Sequence, residues 1–245
     1  LFRSRQIWEP ALKKAKEEAR ELQKLIEEEG QNFKLQPWDW WYYAEKLKKQ
    51  KYELDEEMLR PYFKLENVIQ GVFTLANKLY GLQFVERTDI PKYHPDVRVF
   101  EVKEADGTHV GILYTDYFPR PSKRGGAWMN SFRKEYKLNG RRITPIICNV
   151  GNFSKPTQDK PALLSFEEVT TLFHEFGHAL HGLLSDCTYR RLSGTAVPRD
   201  FVELPSQIME NWVGEPEMLK LFARHYQTGE PIPDALIKKI HKARF

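Results

Sequence analysis

Two histidines stand one helical turn apart inside an apolar, helix-patterned stretch, Thr171-Leu-Phe-His174-Glu175-Phe-Gly177-His178-Ala-Leu. Leu172, Phe173, Phe176, Ala179 and Leu180 mark a buried helix, and Ser165 with Glu168 supplies a capping box at its start. Side chains at i and i+4 lie on one face of a helix. Burying two imidazoles and a carboxylate without partners costs several kcal/mol. A shared metal removes that penalty, because both rings can reach one ion at about 2.0–2.1 Å. His174 and His178 are therefore expected as zinc ligands. Glu175 follows the first ligand, where it can reach water at the metal without ligating, and is expected as the general base.

A catalytic zinc takes three protein ligands and leaves one position open. The metzincin extension would need Gly at 181 and His at 184, where the sequence has His181 and Leu184. His181 lies two turns beyond His174, roughly 10 Å along the axis, too far for the same ion, and is expected as a hydrogen-bonded structural histidine. A carboxylate on a following helix is the other solution. The segment Pro198-Arg-Asp200-Phe-Val-Glu203-Leu-Pro-Ser-Gln207-Ile-Met-Glu210-Asn-Trp212 offers Glu203, set among Phe201, Val202 and Leu204 and so expected to be buried. Asp200-x-x-Glu203 also reads as a capping box, which leaves a purely structural role open. Gln207 and Glu210 share the face of Glu203 and are candidates to orient a zinc-bound histidine, or solvated polar positions.

The rest of the chain reads as helices, then strands, then helices. Helices are expected over 4–29, after Pro37, near Asp55–Arg60 and over 65–80, with Gly81 as a stop. The aromatic cluster Trp38-Asp-Trp-Trp-Tyr-Tyr is expected to pack in a core. Strands are expected over 82–87, 97–104, 108–118 and 143–150, with Asp106-Gly107 as a hairpin turn. The stretch from Phe118 to Ile143 reads as loop-rich. After the metal-binding helix, another is expected near Asp200 and a last helical region over 215–245 with a break at 229–233. The fold class is α+β, mainly helical, with a small mostly antiparallel sheet and an active-site helix. Three segments are expected within one incomplete catalytic domain: helical 1–81, β-rich 82–151 and zinc-binding helical 152–245.

Charge and cysteine usage exclude several classes. The net charge of +4 on 245 residues is a mild basic excess without a recognition motif, so no nucleic-acid partner is expected. No apolar run approaches the ~18 residues of a membrane span. Cys148 and Cys187 form neither a disulfide framework nor a C-x-x-C pair and are expected as reduced, buried thiols. The chain starts without Met and runs to Phe245 in a helical pattern without a stop signal, so it is expected to be a fragment.

The run His174-Glu-Phe-Gly-His-Ala-Leu-His-Gly resembles the thimet oligopeptidase (M3) family of zinc peptidases. So does Ser193-Gly-Thr, followed by Pro198-Arg-Asp-Phe-Val-Glu203-Leu-Pro-Ser-Gln and Glu210-Asn-Trp212. Asn149-Val-Gly-Asn152-Phe-Ser-Lys-Pro156 and Lys123-Arg-Gly-Gly-Ala-Trp128 also resemble family segments. The second of these, with Ser193-Gly-Thr and Pro198-Arg-Asp-Phe, is most similar to the bacterial peptidyl-dipeptidase branch. The resemblance implies a zincin-like catalytic core and makes Glu203, at the family's spacing from the second histidine, the third zinc ligand. It also implies that the substrate-facing tyrosines and histidine of the family lie beyond Phe245.

The expected activity is hydrolysis of short peptides, with release of C-terminal dipeptides, using one zinc ion per chain. A strand near the metal could take the substrate backbone by strand addition, with Gly125–Trp128, and in it Gly126, Ala127 and Trp128, or the Ile143–Val150 strand as candidates, although Gly125 and Gly126 also read as turn residues. Alternatives are an endo-oligopeptidase of the same family and a non-catalytic, zinc-stabilised helical domain. The full-length protein is expected to be a monomer in the cytoplasm, with the periplasm as the alternative.

Overall fold

The computed structural model describes residues 2–244. Leu1 and Phe245, which close the two helical segments expected from sequence, lie outside the described residues. The chain divides into two compact units, one of residues up to Asp55 with those from Lys238 onward, the other of Glu56–Ile237.

In the first unit, α1 spans Phe2–Glu28 and α2 spans Trp40–Tyr52. Leu22, Leu25 and Ile26 of α1 pack with Tyr43 of α2, joined by the partly buried Trp40, Ala44 and Leu47. The aromatic cluster enters the core as expected only through Trp40 and Tyr43. Helical periodicity puts Trp40, Tyr43, Ala44 and Leu47 on one stripe, and the neighbours fall outside it. Trp41 is 82% exposed, and Trp38, ahead of the helix, is 78% exposed.

In the second unit, α3 (Glu56–Leu59) runs through a 3-10 turn over Arg60–Tyr62 into α4 (Leu65–Tyr80), which Gly81 ends in the left-handed conformation. A five-stranded sheet follows in the order β1-β2-β3-β7-β4. β1 (Gln83–Glu86), β2 (Arg98–Lys103) and β3 (His109–Asp116) form an antiparallel meander, with Asp106-Gly107 at the β2–β3 turn as expected. β7 (Ile146–Val150) pairs parallel with β3. β4 (Trp128–Arg133) pairs antiparallel with β7 and forms the sheet's outer edge.

The loop-rich reading of 118–143 misses β4 and a separate hairpin of β5 (Tyr136–Leu138) and β6 (Arg141–Ile143). Asn139 and Gly140 both have positive φ, the two-residue turn that suits the twist of paired strands. The hairpin thus had a sequence signal. β4 had almost none, because an edge strand with Asn130 and Ser131 lacks a continuous apolar face.

α5 (Phe166–Leu183) starts at the expected capping box: Ser165 accepts from the Glu168 amide and the Glu168 side chain accepts from the Ser165 amide. It lies on the sheet closely enough that a Cβ on Gly182 would meet Met129 Cε at 2.7 Å and Ile147 Cδ1 at 2.8 Å. Phe176 on α5 joins Phe73, Phe84 and Phe100 in an aromatic cluster, and Phe173 contacts Phe222. α6 (Leu204–Asn211) packs across α5, and α7 (Pro216–Phe222) packs on α4. The Asp200–Glu203 capping box does not form. Those residues make a turn, and α6 starts only at Leu204, with Pro205 inside its first turn. After α7, α8 covers Asp234–Arg244.

Candidate metal centre

Placement of the two histidines follows directly from helix geometry. His174 and His178 sit on one face of α5, their ring centroids 4.9 Å apart. Glu203 arrives from the turn before α6, and its Oε2 lies 3.2 Å from His174 Nε2 and 3.1 Å from His178 Nε2. Among the described residues these three form the group whose donor atoms fall within 4.8 Å of one another. Tetrahedral bonds of about 2.0–2.1 Å place neighbouring ligand atoms roughly 3.3 Å apart. The two nitrogen–oxygen separations match that edge, so the donor set fits a zinc ion in spacing as well as in chemistry.

The protonation states fit too. Burial pushes His178 below its ordinary value, which favours the neutral ring that a metal needs. The Ser206 hydroxyl, against some desolvation and with the two imidazoles assisting, holds the Glu203 carboxyl below the usual range. Glu210 on α6 meets His174 Nδ1. A carboxylate accepting at Nδ1 would orient the ring with Nε2 toward Glu203 and leave its lone pair for a metal. His178 Nδ1 is buried without a partner among the described residues.

Glu175 is 8% exposed, and its Oε2 finds no hydrogen-bond partner among the described residues. Burial pushes its carboxyl up to about 7, His174 opposing the rise and Glu203 adding to it. His174, Glu175, His178 and Glu203 share a cleft of about 450 Å³ with Ala127, Trp128, Met129, Thr195 and Val202. β4 thus reaches the rim of the cleft through the residues at its start.

Peptidase family M3 matches residues 5–245 of the chain. The chain belongs to peptidase family M3. This M3 chain is 48% identical over 240 residues to the dipeptidyl carboxypeptidase of Escherichia coli strain K12, covering 98% of the chain and 35% of that protein. The Salmonella typhimurium dipeptidyl carboxypeptidase is 49% identical over 240 residues, with the same coverage. The oligopeptidase A of Escherichia coli is 44% identical over 212 residues, covering 86% of the chain and 31% of that protein. The chain spans about a third of the length of these relatives. No described helix of the M3 chain is long and apolar enough to cross a membrane.

Several site residues stand differently from the sequence reading. Glu203 was expected to be buried, but its side chain is 48% exposed. It lines an open cleft, and its neighbours Phe201 and Leu204 are exposed as well. Gln207 is exposed, and no hydrogen bond joins its side chain to another described residue. His181 packs edge-on against Phe201, and its buried Nδ1 lacks the hydrogen bond that was expected. Gly126 adopts φ 83° in the loop before β4, where its carbonyl accepts from Asn152 Nδ2. Both cysteines are free, Cys148 buried and Cys187 half-buried.

Four supporting residues had no individual role read from the sequence. Asn149 on β7 is buried and donates from Nδ2 to the main-chain oxygen of Glu175. Ser206 is fully buried and donates to Glu203 Oε2 at 2.7 Å. Asp116, at the end of β3, accepts a bidentate pair of bonds from Arg120, with Lys123 and the Tyr93 hydroxyl as further donors. Lys123 also donates to the main-chain oxygens of Asp116 and Phe118. Asn152 holds the carbonyls of Arg124 and Gly126. Together these bonds fix the loop that delivers Ala127 and Trp128 to the cleft. Asn149, Asn152 and Tyr93 meet partners more than 20 residues away, and the bonds of Ser206 to Glu203 and of Arg120 and Lys123 to Asp116 join near neighbours whose burial only the fold sets, so no hydrophobic period announces them.

Proposed function

We propose that the chain carries the catalytic metal centre of a zinc peptidase that hydrolyses short peptides and releases C-terminal dipeptides. The observation carrying this reading is the convergence of His174 Nε2, His178 Nε2 and Glu203 Oε2 beside a buried Glu175 with a free carboxylate oxygen. His174, His178 and Glu203 would hold one zinc ion per chain. When bound, zinc polarises a substrate carbonyl and acidifies water at its open coordination position.

Glu175 takes a proton on its unpartnered Oε2 and later returns it to the leaving amine. Its burial keeps that oxygen basic, because desolvation raises a carboxylate's proton affinity. Glu210 fixes the tautomer of His174 through Nδ1. The outer edge of β4 offers main-chain groups to an extended peptide, with Gly126, Ala127 and Trp128 where that peptide would approach the histidines.

A retained carboxylate at position 175 also argues against a purely structural zinc site, which has no use for a base there. The dipeptidyl carboxypeptidase relatives favour release of dipeptides, and the oligopeptidase A relatives favour internal cleavage. The partners are short peptides, with neither nucleic acid nor membrane among them. The full-length protein acts as a monomer in the cytoplasm, or in the periplasm if it is exported.

The test compares, in the full-length protein, a peptide with its C-terminally amidated form. Loss of cleavage on amidation supports dipeptide release. Equal rates reject it in favour of the endo-oligopeptidase.

A further inference from the structure

Glu203 is the least constrained of the three donors. His174 and His178 are carried by one buried helix, whereas Glu203 stands at the start of α6 with half its side chain in solvent. Fixing a glutamate side chain costs up to about 1.5–2 kcal/mol in rotamer freedom. Without an anchor, that cost falls on metal binding.

We infer that Ser206 is a positioning residue for the metal, its hydroxyl holding the Glu203 carboxylate in the pose where Oε2 faces both imidazoles. The inference rests on the zinc-peptidase reading. Ser206 Oγ lies 2.7 Å from Glu203 Oε2 and 3.0 Å from the Glu203 main-chain oxygen. The oxygen it meets is the same one that lies 3.2 Å and 3.1 Å from the two imidazole nitrogens. A carboxylate oxygen has two lone pairs, so a donor on one side leaves the other for a metal shared with the histidines.

The anchor itself is buried and closely packed. Ser206 is 0% exposed, and its place is set by contact with α5. A Cβ on Gly177 would lie 2.6 Å from Ser206 Cα and 2.6 Å from Pro205 O. Gly177 stands between the two histidines, so α6 presses on α5 at the level of the metal. The close approach fixes the backbone of Ser206, and Ser206 fixes the carboxylate. Neither Pro205 nor Gln207 can substitute, since one lacks a donor and the other faces solvent.

A merely structural serine would cap the first turn of α6 and leave the metal indifferent to its loss. Zinc dissociation constants, measured by competition with a chromophoric chelator, separate the two roles. The full-length wild type, Ser206→Ala, Glu203→Ala and the double variant form the set. Ser206→Ala should weaken zinc binding by about 10-fold, within the range for loss of groups that orient metal ligands. In the Glu203→Ala background the same change should have no effect. Ser206→Gly removes the same hydroxyl without adding a zinc ligand and should lose zinc affinity as alanine does. It provides the reading if the alanine variant does not fold. Equal zinc affinity in wild type and Ser206→Ala overturns the inference and leaves the zinc reading standing. An equal loss in both backgrounds also overturns it, because Ser206 then acts through the fold. A wild type that binds no zinc removes both.

Discussion

The side-chain amide of Asn149, on β7, donates to the main-chain carbonyl of Glu175, on α5, at 2.8 Å, with the asparagine fully buried. This bond ties the sheet to the helical turn between His174 and His178. It fixes the height of Glu175, the proposed general base, above β7 and hence above β4, which pairs with β7 at Met129–Asn149. Replacing Asn149 by Ala removes the pin. We expect a loss of about 1–3 kcal/mol in urea unfolding of the chain, together with reduced turnover in the full-length protein. A variant with unchanged stability would show that the bond contributes nothing net.

Glu175→Gln keeps the volume of the side chain and removes its basicity. Turnover should fall by about 10²–10⁴-fold, the usual share of general acid–base catalysis. Zinc content, measured by elemental analysis of the same preparation, should stay at one ion per chain. Full activity in the variant would reject the assignment of the base.

Glu210 contacts His174 Nδ1 and is proposed to act on the metal through that ring. Glu210→Ala should weaken zinc binding by about 10–100-fold, because the ring loses the partner that fixes its tautomer. Gln207→Ala, on the same helix and solvent-facing, should leave zinc affinity unchanged. The pair of chelator titrations discriminates between the two candidates that share a helix face in sequence.

Gly177→Ala is expected to disturb both helices. A Cβ there would overlap Pro205 O and Ser206 Cα, which are main-chain atoms that cannot rotate aside. Overpacking of this kind costs about 1–3 kcal/mol. The melting midpoint should drop and zinc should bind less tightly, since α6 carries Glu203 at its start. A midpoint equal to that of wild type would mean that α6 can retreat from α5 at no cost.

Asp116 should give the acid limb of the stability profile. Burial alone would raise its carboxyl, but bonds from Arg120, Lys123 and Tyr93 outweigh burial and hold it at about 2. Lys123 is itself pushed down by burial, so the two partners point in opposite directions. The Asp116 side governs the outcome, because that carboxylate collects two cations and a hydroxyl. A depressed folded value means that the stabilisation is complete above the unfolded value near pH 4 and is lost as pH falls toward 2. About 2 kcal/mol should disappear over that window. In Asp116→Asn the slope between pH 4 and 2 should flatten. Stability at pH 7 should also drop by about 3 kcal/mol, because Lys123 is left buried without its counter-charge.

What the sequence determined by itself was local. A capped apolar helix with histidines at i and i+4 dictated its own length, its buried face and the meeting of His174 with His178, because 3.6-residue periodicity leaves no other arrangement. The Asp106-Gly107 turn and the Gly81 stop were equally legible, since each depends on one or two backbone angles. The arrival of Glu203 at the histidines was read from family resemblance rather than from periodicity. Asp200–Glu203 looked locally like a helix start, but it forms a turn and α6 begins only at Leu204, with Pro205 in its first turn. Tertiary structure alone placed β4 at the sheet edge, Asn149 on the Glu175 carbonyl, Asp116 among its donors and Ser206 on Glu203. Each of these is a polar contact or an edge pairing. The edge pairing and the Asn149 bond draw on partners on other elements, and the bonds between near neighbours, Asp116 to Arg120 and Ser206 to Glu203, depend on burial by the rest of the fold, so no hydrophobic period or turn signal records them in the chain.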